Sequence, residues 1–370
     1  MPHAYIPYAR QSIDKKDIQA TSSVLSSDWL TQGPTVLKFE QAIAKYCRSK
    51  YAVSTSSGTS ALHLAYLASG IKKGDEVITT PNTFVATTNM LLVIGAKPVF
   101  CDIRLDTYNI DESKIEKLIT KKTVAISVVH FAGNPAEMDK IIKIAKKYKL
   151  KVIEDASHAL GASYRKKRIG SLESEATIFS FHPVKSIATG EGGIIVTNNK
   201  KYYEKMLLLR NHGIYKDKKG ANVMTELGYN YRMTDIQASL GISQLKKLTK
   251  FIKKREQIVD WYKQELKDCD TIVLPTENKD SKSANHIYVI RIKNRNRRDK
   301  FVSFLKKNNI GVNFHYPSVY SHPYYRKNGY RKTKLSNEEK YNKTCITLPL
   351  FVGLQKKDIH YISSTIKSFF

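Results

Sequence analysis

Short apolar runs alternate with helical patterns from about Tyr51 to Asn199. Strand-length runs fall at Ala52-Val53-Ser54, Glu76-Val77-Ile78-Thr79, Pro98-Val99-Phe100, Val124 to Val129 and Lys151-Val152-Ile153. Between the last two, Met138, Ile141, Ile142, Ala145 and Tyr148 recur mostly three or four residues apart, which puts them on one face of a helix. Two more strand-like runs follow, Ala176 to Phe181 and Ile194 to Thr197. This alternation predicts an α/β fold, a mostly parallel sheet flanked by helices on both sides. A ligand on such a sheet sits beyond the C-terminal ends of the strands.

The pattern then changes. Leu240 to Leu266 reads as one long amphipathic helix that leaves the large unit. Beyond it come a polar loop from Thr276 to Ala284, a strand at His286 to Arg291, a helix near Lys300 to Lys307 and a closing helix near Lys357 to Ser368. The expected division is a large α/β domain with an N-terminal arm over residues 1–245 and a smaller C-terminal α+β domain over residues 246–370. No internal repeat or coiled coil interrupts it.

Composition narrows the function. The chain has 370 residues, 41% of them hydrophobic, which is enough for a large core. No apolar run is long enough to cross a bilayer. Met1 to Ile6 lacks the basic-then-apolar layout of a secretory leader, so a cytoplasmic protein with no membrane partner is expected. Cys47, Cys101, Cys269 and Cys345 are far apart and none is spaced for zinc or a redox dithiol, so no metal is expected. The net charge of +29 invites a nucleic-acid reading. Yet the lysines are spread over polar helix faces, as at Lys140, Lys143, Lys146 and Lys147, with no basic tail and no nucleic-acid motif. A positive field that draws in an anionic substrate, such as a nucleotide diphosphate, fits better than a nucleic-acid partner.

Candidate chemistry centres on Lys185, in Ser180-Phe181-His182-Pro183-Val184-Lys185. Upstream, the run Val152-Ile153 ends in Glu154-Asp155. A lysine and an aspartate at neighbouring strand ends are what pyridoxal 5'-phosphate (PLP) needs: an amine to bond its aldehyde, and a carboxylate to keep its ring nitrogen protonated. Lys185 alone would be one lysine among many. Ser56-Ser57-Gly58-Thr59-Ser60 joins a strand to a helix, where free N–H groups make either a plain cap or an anion site. Ser180 could bond the same anion or be a buried strand serine. Phe84 could stack on a flat ring or pack in the core. His158 could reach a cofactor oxygen, reach Asp155, or be a bonded core histidine. Gly190, Gly192 and Gly193 suit a tight reversal between two strands. In Gly228 to Asp235, Asn230 and Arg232 suit phosphate or carboxylate, while Thr234 or Asp235 would cap a helix.

These segments resemble the DegT-type sugar aminotransferases, PLP enzymes of fold type I that aminate keto sugars attached to nucleotides. The resemblance runs from Ile6-Pro7 almost to the C-terminus. It includes Asp28 to Pro34, Ser56 to Leu62, Thr83 to Thr87, Ile153 to Asp155, Phe179 to Lys185, Gly190 to Gly193, Leu209 to Gly213, Gly228 to Asp235 and Thr347 to Leu350. Arg10 to Ile13, Asp155 to Ala162, Phe181 to Lys185 and Glu226 to Arg232 resemble the branch serving pseudaminic acid biosynthesis. That branch aminates C4 of a UDP-linked 4-keto-6-deoxy-N-acetyl sugar, with L-glutamate as donor. The resemblance implies that Lys185 is the Schiff-base lysine and proton carrier and that Asp155 pairs with the ring nitrogen. It implies that Phe84 stacks on the ring, that Gly58, Thr59 and Ser180 hold the phosphate, and that His158 lies near the phenolic oxygen. Asn230 would come from the other subunit of a homodimer. Trp29, Thr31, Arg232, His315 and Tyr316 would line the sugar-nucleotide cleft. Where relatives often continue after His315-Tyr316 with Pro-Val-His, this chain has Ser318-Val319-Tyr320. Three other readings are a different sugar in the same family, a PLP-dependent sugar dehydratase, and a non-enzymatic basic binding protein. Such dehydratases carry histidine at the Schiff-base position, so Lys185 argues against the second.

Overall fold

The alternating runs form seven strands of one sheet in a computed structural model that describes residues 4–330 and 335–370. Met1 to His3, part of the stretch read for a leader, lie outside the described residues. The strands are β1 (Tyr51–Thr55), β2 (Glu76–Thr79), β3 (Lys97–Phe100), β4 (Thr123–Val129), β5 (Lys151–Asp155), β6 (Ala176–Ser180) and β7 (Gly193–Thr197). Their order in space is β1-β7-β6-β5-β4-β2-β3. β6, β5, β4, β2 and β3 run parallel to one another, while β7 is antiparallel to both β1 and β6.

Helices cover both faces. They are α1 (Lys15–Leu25), α2 (Pro34–Cys47), α3 (Gly58–Ala68), α4 (Ala86–Ile94), α5 (Met138–Tyr148), α6 (Lys200–Arg210), α7 (Asp235–Leu245) and α8 (Leu248–Leu266). Neighbouring strand residues point to opposite layers, because side chains alternate along a strand. Val152 joins the layer of Phe39, Met138 and Ala238, and Ile153 joins the layer of Leu64, Tyr66 and Met206.

The single helix expected from Leu240 to Leu266 is in fact two, α7 and α8. The break falls at Lys246-Lys247, where Lys247 has φ −100° and ψ −10°. Its ammonium is drawn to the carboxylates of Asp17 and Asp14 at the start of α1, the latter at 3.0 Å. Apolar periodicity runs on across the break, so the pattern alone does not reveal it.

α8 serves two cores. Phe251 and Ile252 pack with the large sheet. Ile258, Val259, Tyr262 and Leu266 pack with a second, three-stranded antiparallel sheet: β8 (Ile272–Val273), β9 (Tyr288–Ile292) and β10 (Cys345–Leu348), in the order β8-β9-β10. α9 (Arg298–Lys307), α11 (Ser336–Asn342) and α12 (Lys356–Phe369) pack with this sheet, whereas α10 (Pro323–Lys327) sets Tyr325 against Phe100 of β3 and Thr88 of α4. The stretch expected as a loop from Thr276 to Ala284 holds a short strand, Ser281–Lys282, that pairs with Ser163–Tyr164. Near the N-terminus, Ile6 bonds to Asn309 and Gly311, and the Tyr8 carbonyl accepts from Leu350. No helix among the described residues is long and apolar enough to cross a membrane.

Candidate active site

A cavity of about 400 Å³ opens where β5 and β6 end and α3 begins. That is the C-terminal edge expected for a ligand on a parallel sheet. Lys185, Asp155, Gly58, Thr59, Phe84, His158, Ser180, His315 and Tyr316 all line it.

Lys185 stands on the excursion from Phe181 to Gly192 between the antiparallel strands β6 and β7. The glycines here do not make the tight reversal read from the sequence, because this excursion intervenes. Gly190 adopts φ +84°, and a Cβ on Gly193 would lie 2.8 Å from the Gly58 nitrogen, so glycine lets β7 pass under the start of α3. Burial pushes the Lys185 ammonium down to about 8, against the opposing pull of the Asp155 carboxylate. An amine of that kind has a sizeable uncharged fraction just above neutrality, the form that attacks a carbonyl, where an ordinary lysine has almost none.

Asp155, the last residue of β5, is 6% exposed. Its Oδ2 accepts from the Thr87 hydroxyl at 2.6 Å, and its Oδ1 accepts from the Ser157 hydroxyl at 2.6 Å and the Ser157 N–H at 3.2 Å. Three hydrogen bonds hold the carboxylate in one orientation.

The start of α3 is a capping box. Ser57 accepts from the Ser60 N–H, and the Ser60 hydroxyl accepts from the Ser57 N–H. The Gly58 and Thr59 N–H groups lie in the first turn, where a helix cannot satisfy them internally. A Cβ on Gly58 would lie 2.9 Å from the Ser180 Cβ, so glycine lets the helix start and the Ser180 hydroxyl line one cradle. Cap and anion site are therefore compatible here.

Phe84 is 57% exposed at the cavity, so it is not a core residue. His158 does not reach Asp155. Its Nδ1 accepts from the Ala132 N–H at 3.3 Å, which puts the ring proton on Nε2, and Nε2 then donates to the Tyr316 hydroxyl at 2.9 Å. Burial, and the charges of Lys185 and His315, hold the His158 imidazolium form well below its usual range. His315 is pushed down to about 3 by burial and by Lys185, and its Nδ1 lies 2.8 Å from the Thr347 hydroxyl.

Trp29, Thr31, Asn230 and Arg232 do not line this cavity within one chain. Trp29 is 55% exposed, and Thr31 and Asn230 are exposed. Arg232 has a partner in its own chain, donating to Asn211 Oδ1 at 2.7 Å, and lines a separate cavity with Gln32 and Arg210. The turn after α6 brings Asn211 and Asn230 together as a bridge. Thr234 caps α7 through a capping box with Gln237. Tyr320 points elsewhere and bonds Glu338 at 2.6 Å, so it does not replace the relatives' histidine as a lining residue.

Other lining residues had not been singled out. Thr87 and Ser157 lie inside quoted segments, but hydroxyls are too common for sequence to mark two of them as aspartate partners. Tyr8 and Asn313 arrive through the N-terminal strap and the β10 edge, contacts that only the fold creates.

The residues present suit PLP: a cradle of N–H and hydroxyl groups for a phosphate, an exposed aromatic face, a fixed carboxylate and a lysine with lowered proton affinity. A model of the DegT/DnrJ/EryC1/StrS aminotransferase family matches residues 11–367. The chain is 42% identical to the UDP-4-amino-4,6-dideoxy-N-acetyl-beta-L-altrosamine transaminase of Campylobacter jejuni, over 98% of this chain and 97% of that one. Helicobacter pylori PseC, described as an aminotransferase involved in the biosynthesis of pseudoaminic acid, matches with a TM-score of 0.95 at 36% identity, covering 99% of each chain. Streptococcus pneumoniae Spr1654 in its PLP form matches with a TM-score of 0.94 at 28% identity, covering 98% of each. The chain therefore belongs to the DegT/DnrJ/EryC1/StrS aminotransferase family, and its fold is that of the fold type I aminotransferases.

Proposed function

We propose that this protein is a PLP-dependent aminotransferase that moves an amino group from L-glutamate to C4 of a UDP-linked 4-keto-6-deoxy-N-acetyl sugar of L-arabino configuration. The observation that carries the chemistry is Lys185 and Asp155 on one cavity, the first with lowered proton affinity and the second held by three donors. The Campylobacter jejuni relative supports the choice of sugar. PLP, when bound, supplies an electrophilic aldehyde and a ring that accepts electrons.

The chain's own residues do the rest. Lys185 offers an uncharged amine to tether the cofactor, then moves the proton at the reacting carbon, C4 of the sugar. Asp155 would pair with the ring nitrogen through its carboxylate. Gly58 and Thr59, at the start of α3, and Ser180 would hold the phosphate. Phe84 would cover one ring face, and His158 fixes the proton order at Tyr316. The sugar lies toward His315 and Tyr316. Trp29, Thr31, Asn230 and Arg232 come from a second copy, so the working unit is a homodimer. A soluble, cytoplasmic setting accords with a nucleotide-sugar substrate and a glutamate donor.

The test is the product mass and kcat/KM with this sugar, set against its D-xylo epimer and a dTDP-linked 4-keto hexose, each with glutamate. Mass gain at C4 and preference for the first sugar are expected. Preference for either competitor would reassign the sugar while leaving the family standing.

A further inference from the structure

Asp155 has one oxygen more heavily used than the other. A carboxylate offers about four lone-pair positions. Oδ1 accepts two bonds, both from Ser157, whereas Oδ2 accepts one, from Thr87 at 2.6 Å. The position left for a ligand is therefore on Oδ2, the oxygen that Thr87 holds.

The proton order behind it is fixed. The Thr87 hydroxyl has one proton, and an ionised carboxylate only accepts, so that proton goes to Asp155. The Thr83 hydroxyl, 2.7 Å from that of Thr87, must then donate to it. Thr83 and Thr87 are 2% and 0% exposed, so water does not compete for either bond. The Thr87 carbonyl accepts from the Tyr66 hydroxyl at 2.9 Å, which is itself 2.8 Å from Ser127. This chain of contacts holds the first turn of α4 against β4 and β5.

We propose that Thr87, supplied by Thr83, is a positioning residue that makes Oδ2 of Asp155 the acceptor for the ring nitrogen of PLP. The inference rests on the reading of the cavity as a PLP site. Without the hydroxyl, Oδ2 would be held only through Ser157 on the other oxygen, and its orientation toward a ring nitrogen would be lost.

The test measures dissociation constants of PLP and of its 1-deaza analogue, which has carbon in place of the ring nitrogen. Both are measured on wild type, Thr87→Val, Thr87→Ser and Thr83→Val. Thr87→Val should weaken PLP about tenfold, the scale of one hydrogen bond to a charged group. It should leave the 1-deaza analogue unchanged, and Thr87→Ser should restore PLP binding. Thr83→Val should shift PLP in the same direction by less, and it serves alone if Thr87→Val does not fold. Equal weakening of both ligands would mean a packing role and overturn the proposal, as would wild-type PLP affinity in Thr87→Val or Thr83→Val. Failure of wild type to bind PLP would instead remove the PLP reading itself.

Discussion

Lys185 and Asp155 were nominated from the sequence as an amine and a carboxylate with one joint chemistry, and the fold brings both to one cavity, Asp155 at the end of β5 and Lys185 five residues beyond β6. Their environments were not legible in the sequence. The lowered proton affinity of Lys185 comes from burial between elements that meet only in the folded chain, and it has a measurable consequence. An ordinary lysine, with a pKa of 10.5, is almost wholly protonated at neutral pH, whereas one near 8 is about half free at pH 8. The charged form is the disfavoured one, so reactivity rises with pH. Uptake of PLP by the cofactor-free protein, followed as visible colour, should therefore accelerate through about pH 8 and then level off. A midpoint near 10.5 would mean that Lys185 is not the buried amine described. Asp155→Asn tests the partner. The amide cannot be an anion, so cofactor attachment should survive while turnover falls by about two to three orders of magnitude, as when a fixed electrostatic group is removed. Wild-type rates in that variant would exclude the assigned role. His158 shows where residue identity ran out. Reaching Asp155 was one of its options, and the fold instead spends both ring nitrogens on Ala132 and Tyr316.

Elements were legible where periodicity changes and hidden where it continues. The strands and the Thr234 cap followed from local chemistry. The break between α7 and α8 did not, and it is accompanied by a long-range contact to a buried carboxylate on α1. Asp17 is 0% exposed and accepts from Ser243 at 2.6 Å and Gln244 at 2.7 Å, besides pairing with Lys247. Burial alone would raise its pKa, but the Lys247 ammonium and the other donors outweigh that and lower it. Asp17→Ala leaves those donors without their acceptor and should cost about 3 kcal/mol in a denaturant melt. The sign with pH follows from the depressed folded value. The contribution is complete above the unfolded pKa near 3.8 and is lost as pH falls through the lower folded one. The gap between wild type and variant should narrow only in strong acid. Glycines at the junction of α3 and β7 make a second contrast. A Cβ at position 58 would lie 2.9 Å from the Ser180 Cβ, while one at position 193 would lie only 2.3 Å from the Ser57 carbonyl oxygen and 2.8 Å from the Gly58 nitrogen, so the second clash is the deeper. Gly193→Ala should lower stability by about 1–3 kcal/mol, the usual range for overpacking, and Gly58→Ala by less. Equal melting temperatures would contradict that ranking.

At the scale of the whole molecule, the net charge of +29 served only as background, and it becomes specific once the substrate reading is in place. A diphosphate-bearing sugar should be drawn in by this field, so KM should rise with ionic strength while kcat holds. The larger question is why one chain does not hold every residue its sequence nominated. The ends of the sheet strands, α3 and the His315-Tyr316 segment converge on the Lys185 cavity, but Trp29, Thr31, Asn230 and Arg232 lie elsewhere on the same chain. Linear order cannot separate residues that meet within a chain from residues that meet between chains, since both fall in equally distinct motifs. On the proposed homodimer, each site takes Lys185 from one copy and Asn230 from the other. Lys185→Ala and Asn230→Asp should each be inactive alone, the first for want of the amine and the second because an added carboxylate repels the phosphate. In a randomised equal mixture, half of the dimers are mixed, and each mixed dimer has one site with both native residues. Activity should therefore recover to about a quarter of wild type, as two-fold symmetry requires. No recovery, under conditions where labelled subunits are seen to exchange, would mean that each site is built from a single chain and that Asn230 acts outside it.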